Sequence, residues 1–264
     1  MLRVTVLADN RCQTPGLACE HGLSLYLEAD GRRFLFDTGA SDLFLRNAAV
    51  LGIRPELADR VILSHGDFDH TSGLRYLPGR PALLLHPACG TYRTSARRGI
   101  YGGMDLSEQE LQEHFRPDYQ KGPLWLSDSV LFLGEIERTL PFEGKSFPML
   151  DREGRVYPCP EDTGLAIRTG AGLVVISGCA HSGICNTVEY AKKLTGETRV
   201  AAVMGGFHLL TVDEAARETL RYMRENADRV ILGHCTEDPV FRLFEEELPG
   251  RAEVLSVGRV FCFD

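Results

Sequence analysis

The sequence lacks the features of a membrane-spanning or secreted chain. Nowhere do hydrophobic residues run uninterrupted for about 18 positions, the length that a transmembrane helix needs. The first ten residues, MLRVTVLADN, contain no basic stretch followed by an apolar one, so they predict no secretion signal. We therefore expect a cytoplasmic protein with no membrane partner.

Closely spaced cysteine pairs are also missing. The eight cysteines include no C-x-x-C pair, which is the usual sign of a zinc ribbon. Disulfide frameworks are typical of secreted domains much smaller than a chain of 264 residues. We expect reduced thiols.

Positive charge is scarce as well. The net charge of -8 and the pI of about 5.5 argue against nucleic acid as the main partner, because phosphate backbones are bound by clustered Lys and Arg. One short basic cluster, RTSARR, lies at residues 93–98. We interpret it as a solvated loop, with a grip on an acidic substrate as the alternative.

Side chains that can bind metal are most concentrated in residues 61–73, VILSHGDFDHTSG. A regular strand would direct His65, Asp67 and Asp69 to one side and His70 to the other, so no single regular element could gather them on one ion. We predict a loop after a buried strand that divides its ligands between two adjacent metals. A solvated polar turn is the alternative, but turns seldom carry two His and two Asp at this spacing.

Along the chain, strands come first and alternating strand–helix units follow, which predicts mixed sheets with helices outside and one domain over residues 1–264.

Residues 90–122 look like an insertion in which Ser107 and Glu110 cap a short helix, and Tyr101 to Met104 could form the tip of a lid or a surface excursion without a role. Another capping box is predicted at Thr211. The predicted strands cover residues 2–7, 23–28, 33–36, 61–63, 82–85, 122–126, 130–134, 165–169, 173–177, 200–204, 230–232 and 260–263, with a further strand near Val254. The predicted helices cover residues 42–52, 106–115, 211–226 and 237–247.

Four of the apolar strands are followed by a histidine. VILSH ends in His65, VVISGCAH in His181, AAVMGGFH in His208 and RVILGH in His234. Because ligand sites in α/β sheets collect at the carboxyl ends of strands, we expect these ends to converge. Asp37, at the exit of another strand, could orient a ligand histidine or cap the following helix.

These motifs together resemble a known family. Residues 64–73 resemble the H-x-H-x-D-H signature of the metallo-β-lactamase superfamily. The sequences EHGLS (20–24), FDTG (36–39), GCAHSGICN (178–186), GGFHL (205–209) and HCT (234–236) are similar to one branch of it, the metal-dependent hydrolases that resemble dihydropterin ribofuranosylaminobenzene phosphate synthase. The resemblance implies an α/β fold, an αββα sandwich of two mixed sheets with outer helices and metals along one edge.

The resemblance also implies roles for individual residues. Asp69 and His208 would be catalytic, with His208 holding substrate, shuttling protons or serving as a ligand. Cys179 could be a thiolate ligand or a small buried filler, and we favour the filler because free cysteines are often buried. The metal ligands carried over are His65, Asp67 and His181 for the first metal and Asp69, His70 and His234 for the second.

Asp67 departs from the signature, which has a histidine at this position. A carboxylate is a harder ligand, so iron or manganese become candidates, although zinc, as one or two Zn²⁺ ions, remains the first choice. A hydroxide shared between the two metals would attack a carbonyl or phosphoryl centre. We expect the helices after His181 and His208 to offer amides to an anion, and for that reason we predict hydrolysis of a small phosphate-containing or other anionic ester. A transferase making a ribofuranosyl-aminobenzene phosphate-type product and a flavodiiron-like redox centre are the alternatives. The sequence leaves a homodimer open.

Overall fold

Two seven-stranded sheets lie face to face in the computed structural model, which describes residues 1–96, 99–144 and 149–264. The first half of the chain supplies β1 (Leu2–Ala8), β2 (Ser24–Ala29), β3 (Arg32–Phe36), β4 (Arg60–Ile62), β5 (Ala82–Leu85), β6 (Thr94–Ser95), β7 (Arg116–Tyr119), β8 (Leu124–Trp125) and β9 (Val130–Phe132). The second half supplies β10 (Met149–Leu150), β11 (Val156–Tyr157), β12 (Gly164–Thr169), β13 (Gly172–Ser177), β14 (Val200–Gly206), β15 (Ala227–Gly233), β16 (Ala252–Val254) and β17 (Val260–Phe263).

Each large sheet combines antiparallel and parallel pairs. The first has the order β17-β1-β2-β3-β4-β5-β7, and the second has the order β16-β15-β14-β13-β12-β9-β8. Strands β3, β4, β5 and β7 run parallel in the first sheet, and β13 to β16 run parallel in the second. A small third sheet has the order β11-β10-β6. The helices are α1 (Leu43–Val50), α2 (Phe68–Thr71), α3 (Glu108–His114), α4 (Ile184–Thr195), α5 (Glu214–Asn226) and α6 (Asp238–Glu247), with 3-10 turns at Pro55–Leu57 and Ser72–Tyr76.

The strands of the second sheet are apolar on both faces because both faces are covered. In β13, Val174 and Ile176 enter the core between the sheets, whereas Leu173 and Val175 pack towards the helices outside. A separate outer core on the first sheet includes Phe44 of α1. The predicted αββα sandwich is therefore confirmed.

Two details of the sequence prediction are wrong. The helix predicted from Thr211 begins at Glu214 instead, and Asp213 caps it by accepting a hydrogen bond from Ala216 N at 3.0 Å. The segment predicted as an insertion contains β7, which is the edge strand of the first sheet. Its sequence lacks the alternation of apolar residues that would predict a strand, and the strand is formed by parallel pairing with β5. The capping box of Ser107 and Glu110 is confirmed.

The remainder of residues 90–122 approaches the predicted metal loop. Phe68 N donates to Gly102 O at 3.0 Å, and Asp67 and Gly103 form an isolated β-bridge. Residues 97 and 98 of the basic cluster lie outside the described residues. Within the described ranges, no helix has both the length and the apolar character to cross a bilayer.

Candidate metal centre

Parallel strands bring the predicted histidines to one edge of the sandwich. His65 follows β4 of the first sheet, and His181, His208 and His234 follow β13, β14 and β15 of the second. The ring centroids of His65 and His181 are 4.9 Å apart, and those of His181 and His208 are 4.6 Å apart. The predicted convergence of the strand ends is confirmed.

The first predicted ligand set is present as a group. Asp67 Oδ2 lies 3.4 Å from Nε2 of His65 and 3.4 Å from Nε2 of His181. Both Nε2 atoms are buried and have no hydrogen-bond partner among the described residues. Two ligands of a tetrahedral zinc, each bound at about 2.0–2.1 Å, are separated by roughly 3.3–3.4 Å. These residues therefore fit a metal ion, and the unmet hydrogen-bonding capacity of the two imidazoles supports that fit.

The second set differs in part from the prediction. His234 Nε2 lies 2.9 Å from His70 Nε2 and 3.5 Å from Asp69 Oδ2. His21, to which the sequence analysis gave no role, joins this group through a contact of 3.0 Å between its Nε2 and Asp69 Oδ2. The only signal for His21 in the sequence was its place in the motif EHGLS.

Hydrogen bonds fix the outer nitrogens of the central imidazoles. His70 Nδ1 donates to Asp37 Oδ2 at 2.8 Å, and His65 Nδ1 lies 2.8 Å from Ser64 Oγ, whose own proton is donated to Asp37 Oδ2. Asp37 therefore orients a predicted ligand, as one of the two sequence interpretations had it. Such bonds hold each ring so that Nε2 faces the centre.

Asn10 determines the tautomers of His21 and His234, because it forms hydrogen bonds with both rings. Gly22 N donates to Asn10 Oδ1 at 3.2 Å, which fixes the orientation of the side-chain amide. The amide oxygen therefore also accepts from His234 Nδ1 at 3.0 Å, and the amide nitrogen donates to His21 Nδ1 at 3.2 Å. A neutral His21 consequently carries its proton on Nε2 and donates it to Asp69.

Cys179 also reaches the centre. Its Sγ lies 3.3 Å from His70 Nε2, within the distance that a shared ligand set would require. Burial, together with the neighbouring Cys235, raises the pKa of the Cys179 thiol well above its usual value. Without a metal, Cys179 is therefore a neutral thiol. All eight cysteines are free, which agrees with the expected reduced state.

The charges of the centre differ sharply from one imidazole to the next. Burial lowers the pKa of His70, but Asp37 more than compensates and raises it to about 9. Burial likewise opposes protonation of His181, whose pKa Asp67 raises to about 9. Burial and the charge of His181 lower the pKa of His208 to about 3. In the metal-free protein, His70 and His181 thus carry protons, whereas His208 is neutral.

These shifts predict how the stability of the metal-free protein depends on pH. Because the folded pKa of His70 and of His181 lies above the unfolded value of about 6.5, their contribution is complete below pH 6.5 and is lost as the pH rises through 9. We expect the unfolding free energy of chelator-treated protein to fall between these values by roughly 2–3 kcal/mol for each of the two groups. In thermal unfolding, the difference between the unfolding temperatures of zinc-loaded and metal-free protein should increase as the pH rises. A metal-free protein that is more stable at pH 9 than at pH 6.5 would contradict the assignment.

Several non-glycine residues at this edge of the sandwich have positive φ angles. Among the described residues, Asp37, Ala180, His208 and His234 have φ values of 59°, 55°, 50° and 48°, in the left-handed region that non-glycine residues rarely adopt. Close contact between the sheets requires a glycine at position 178, where a Cβ atom would lie 2.0 Å from Ser64 Oγ. The segments that follow β4 and β13 therefore touch each other beside the ligands.

The centre opens into a cavity of about 1030 Å³. The described residues that line it include neither lysine nor arginine, and carboxylates on its wall include Glu143, Asp213 and Glu237. Apolar and aromatic residues also line the cavity, namely Phe68, Ile100, Tyr101, Phe142, Phe207 and Leu209.

The helix starts that were expected to bind an anion are already capped. Glu143 accepts hydrogen bonds from Cys185 N at 2.9 Å and Asn186 N at 2.8 Å, at the beginning of α4. Asp213 does the same at the beginning of α5. The prediction that these amides face a substrate is therefore wrong, because carboxylates of the chain itself occupy them.

Comparison with known proteins agrees with this geometry. A family model described as the metallo-beta-lactamase superfamily matches residues 18–234. A protein of Methanocaldococcus jannaschii, named 7,8-dihydropterin-6-methyl-4-(beta-D-ribofuranosyl)-aminobenzene-5'-phosphate synthase, is 32% identical over 92% of this chain and 90% of its own.

Solved structures give the same result. The crystal structure of Tm1679, titled a metal-dependent hydrolase of the beta-lactamase superfamily, is 30% identical with a TM-score of 0.86 over 100% of both chains. A diphosphatase of the PhnP family, 14% identical with a TM-score of 0.57 over 100% of this chain and 98% of its own, shares the fold. The chain, with this fold and this cluster of histidines and aspartates, belongs to the metallo-beta-lactamase superfamily.

Proposed function

We propose that this protein is a metal-dependent hydrolase whose centre holds two divalent cations, with zinc as the first choice. The observation that carries the proposal is the arrangement of inward-facing ligand atoms, in which Asp67 Oδ2 lies 3.4 Å from Nε2 of both His65 and His181. A second group around Asp69 and His234 lies beside it. Pairs of cations at such centres catalyse hydrolysis in many enzymes.

The residues of the chain have distinct tasks in this proposal. Cations bound here would lower the pKa of a coordinated water to about 7 and polarise the bond under attack. Asp69 is kept ionised and oriented by the proton that His21 donates at 3.0 Å. His208 lines the cavity beside His181, and because its lowered pKa keeps it neutral, its ring would hold the substrate by hydrogen bonds.

The proposed substrate is a small phosphate-containing or other anionic ester. The name of the Methanocaldococcus jannaschii relative describes a product that carries a 5'-phosphate. Since neither lysine nor arginine lines the described part of the cavity, the anionic group would meet the cations themselves. The apolar part of the lining, which includes Phe68 and Tyr101, suits an aromatic or otherwise apolar remainder.

A direct experiment combines metal analysis with a hydrolase panel. Protein purified without chelator and supplied with zinc should contain two metals per chain by elemental analysis, and it should cleave phosphate esters or phosphodiesters. Below one metal per chain with intact activity would contradict the two-cation centre. Cleavage of lactones or thioesters, with no action on phosphate esters, would contradict the phosphate substrate.

A second candidate is a transferase, which the 32% identity to the named synthase favours. A cavity of about 1030 Å³ has room for the two substrates that such a reaction joins. Product analysis with phosphoribosyl pyrophosphate and an aromatic amine tests it. A redox centre remains a third candidate because the carboxylate of Asp67 also suits iron or manganese, and iron-derived colour in the purified protein would favour it.

A further inference from the structure

Arg93 is fully buried next to the first ligand group, although the polar residues around it in the sequence predicted a solvated loop. Its Nη1 lies 3.2 Å from Asp67 Oδ1 and also pairs with Glu161, which is itself fully buried. The prediction of a solvated loop is therefore wrong for Arg93. Isolated charges are rarely buried, so an arginine with 0% exposure requires these acidic partners.

The guanidinium has no free face for a substrate. An arginine has five N–H donors, and those not directed at the two carboxylates donate to the protein backbone. The backbone acceptors are the carbonyl oxygens of Thr91, Ala88 and Cys89, each at 3.2 Å. The alternative interpretation, in which Arg93 grips an acidic substrate, is therefore wrong as well.

The two oxygens of Asp67 consequently have different partners. Oδ1 accepts from Arg93, and Oδ2 lies 3.4 Å from Nε2 of both His65 and His181. Although Asp67 immediately precedes α2, its side chain makes no capping hydrogen bond. The position of the carboxylate is thus set by Arg93 and by the centre, not by the helix.

Glu161 in turn holds Arg93 in place. Its Oε2 accepts from Tyr157 O–H at 2.8 Å, and the Arg93 guanidinium lies 4.8 Å from the centre of the Tyr157 ring. Removing Arg93 alone would leave a buried carboxylate without its cation, which is strongly destabilising. A variant that tests Arg93 must therefore neutralise Glu161 at the same time.

We propose that Arg93 is a positioning residue that fixes Asp67 as a single-oxygen ligand of the first cation site. The inference rests on the proposed metal centre. A histidine offers one neutral nitrogen to a metal, whereas an aspartate brings a negative charge and a second oxygen. Arg93 engages the second oxygen and offsets the charge, so Asp67 can serve at a position where the family signature has histidine.

The test is a zinc titration of metal-free protein, with a chromophoric chelator as competitor. The double variant R93M/E161Q removes one charge of each sign, so the net charge of the region is unchanged. We expect the affinity of the first site to fall roughly 10- to 100-fold, the usual effect of losing a residue that orients a ligand. The affinity of the second site should stay within about threefold of the native value.

A control removes an arginine–glutamate pair that is partly exposed and lies away from the centre. Arg229 and Glu253 form a pair of 2.7 Å near the start of β15, at the opposite end of that strand from His234. R229M/E253Q should bind zinc with native affinity at both sites. If R93M/E161Q does not fold, R93K provides the test, because an ammonium keeps the charge but cannot hold both carboxylates in the same geometry.

Asp67→Asn separates positioning from general support. If Arg93 acts through the Asp67 carboxylate, adding R93M/E161Q to Asp67→Asn should change zinc affinity less than threefold. A tenfold further loss in that background would overturn the inference, and so would native affinity in folded R93M/E161Q. A native protein that binds no zinc would overturn the proposed function itself and the inference with it, an outcome that the titration of native protein alone reveals.

Discussion

Replacing Asp69 with asparagine is expected to lower kcat/KM by about 10³-fold and to reduce bound zinc from two ions to one per chain. Asp69 Oδ2 lies 3.5 Å from His234 Nε2 and accepts a hydrogen bond of 3.0 Å from His21. Asparagine keeps the shape but loses the negative charge that a cation needs. Losing several kcal/mol of electrostatic stabilisation corresponds to the expected factor of about 10³ in rate.

The measurement combines elemental analysis with kinetics on whichever ester the hydrolase panel identifies. Asp105→Asn is a suitable control, because Asp105 forms a half-exposed pair with Arg75 on the surface. That variant should keep both its metals and its rate. If Asp69→Asn also kept two zinc ions and native turnover, Asp69 would be neither a ligand nor a catalytic residue.

Replacing Asp37 with asparagine should weaken zinc binding roughly 10- to 100-fold and destabilise the metal-free protein by about 3 kcal/mol. Asp37 Oδ1 accepts from Ser64 N at 2.8 Å, so an amide oxygen would remain there. The amide nitrogen would then replace Oδ2, which accepts from His70 Nδ1 at 2.8 Å. His70 would have to accept at Nδ1 and carry its proton on Nε2, the atom that faces the centre.

Asp30→Asn is a closely matched control for that substitution. Asp30 also accepts three hydrogen bonds, from Ser127 Oγ, Ser129 N and Ser129 Oγ, and its φ of 54° is close to the 59° of Asp37. Because Asp30 is exposed and far from the centre, its replacement should leave zinc affinity unchanged. Calorimetric zinc titration and thermal unfolding would measure both effects, and equal behaviour of the two variants would contradict the role of Asp37.

The convergence of the ligands could be predicted because it follows from local patterns. His181 and His234 follow apolar parallel strands of the second sheet, which end at the same edge, and His65 follows an apolar strand of the first sheet. The short motif around Asp67 placed the remaining ligands beside them. Both patterns are local, whereas the position of His65 beside His181 depends on how the two sheets pack, which only the family resemblance implied.

The residues that the sequence analysis missed depend on such distant contacts. His21 lies outside the regular elements and meets Asp69, 48 positions away, through the fold of the loop before β2. Arg93 looked solvated because its sequence neighbours are polar, and its burial depends on Asp67 and Glu161. The start of α4 looked open to an anion because Glu143 comes from a loop 42 residues earlier than Cys185.

The left-handed backbone at Ala180, His208 and His234 has a consequence for how such a protein can change over generations. Each of these residues adopts a conformation that costs an L-amino acid roughly 1–2 kcal/mol, which glycine would avoid. Selection for heat tolerance alone would therefore favour glycine at these positions, whereas selection for turnover would retain the imidazoles of His208 and His234. Descendants with a higher unfolding temperature and an unchanged turnover rate would have to gain that stability through substitutions elsewhere in the sandwich.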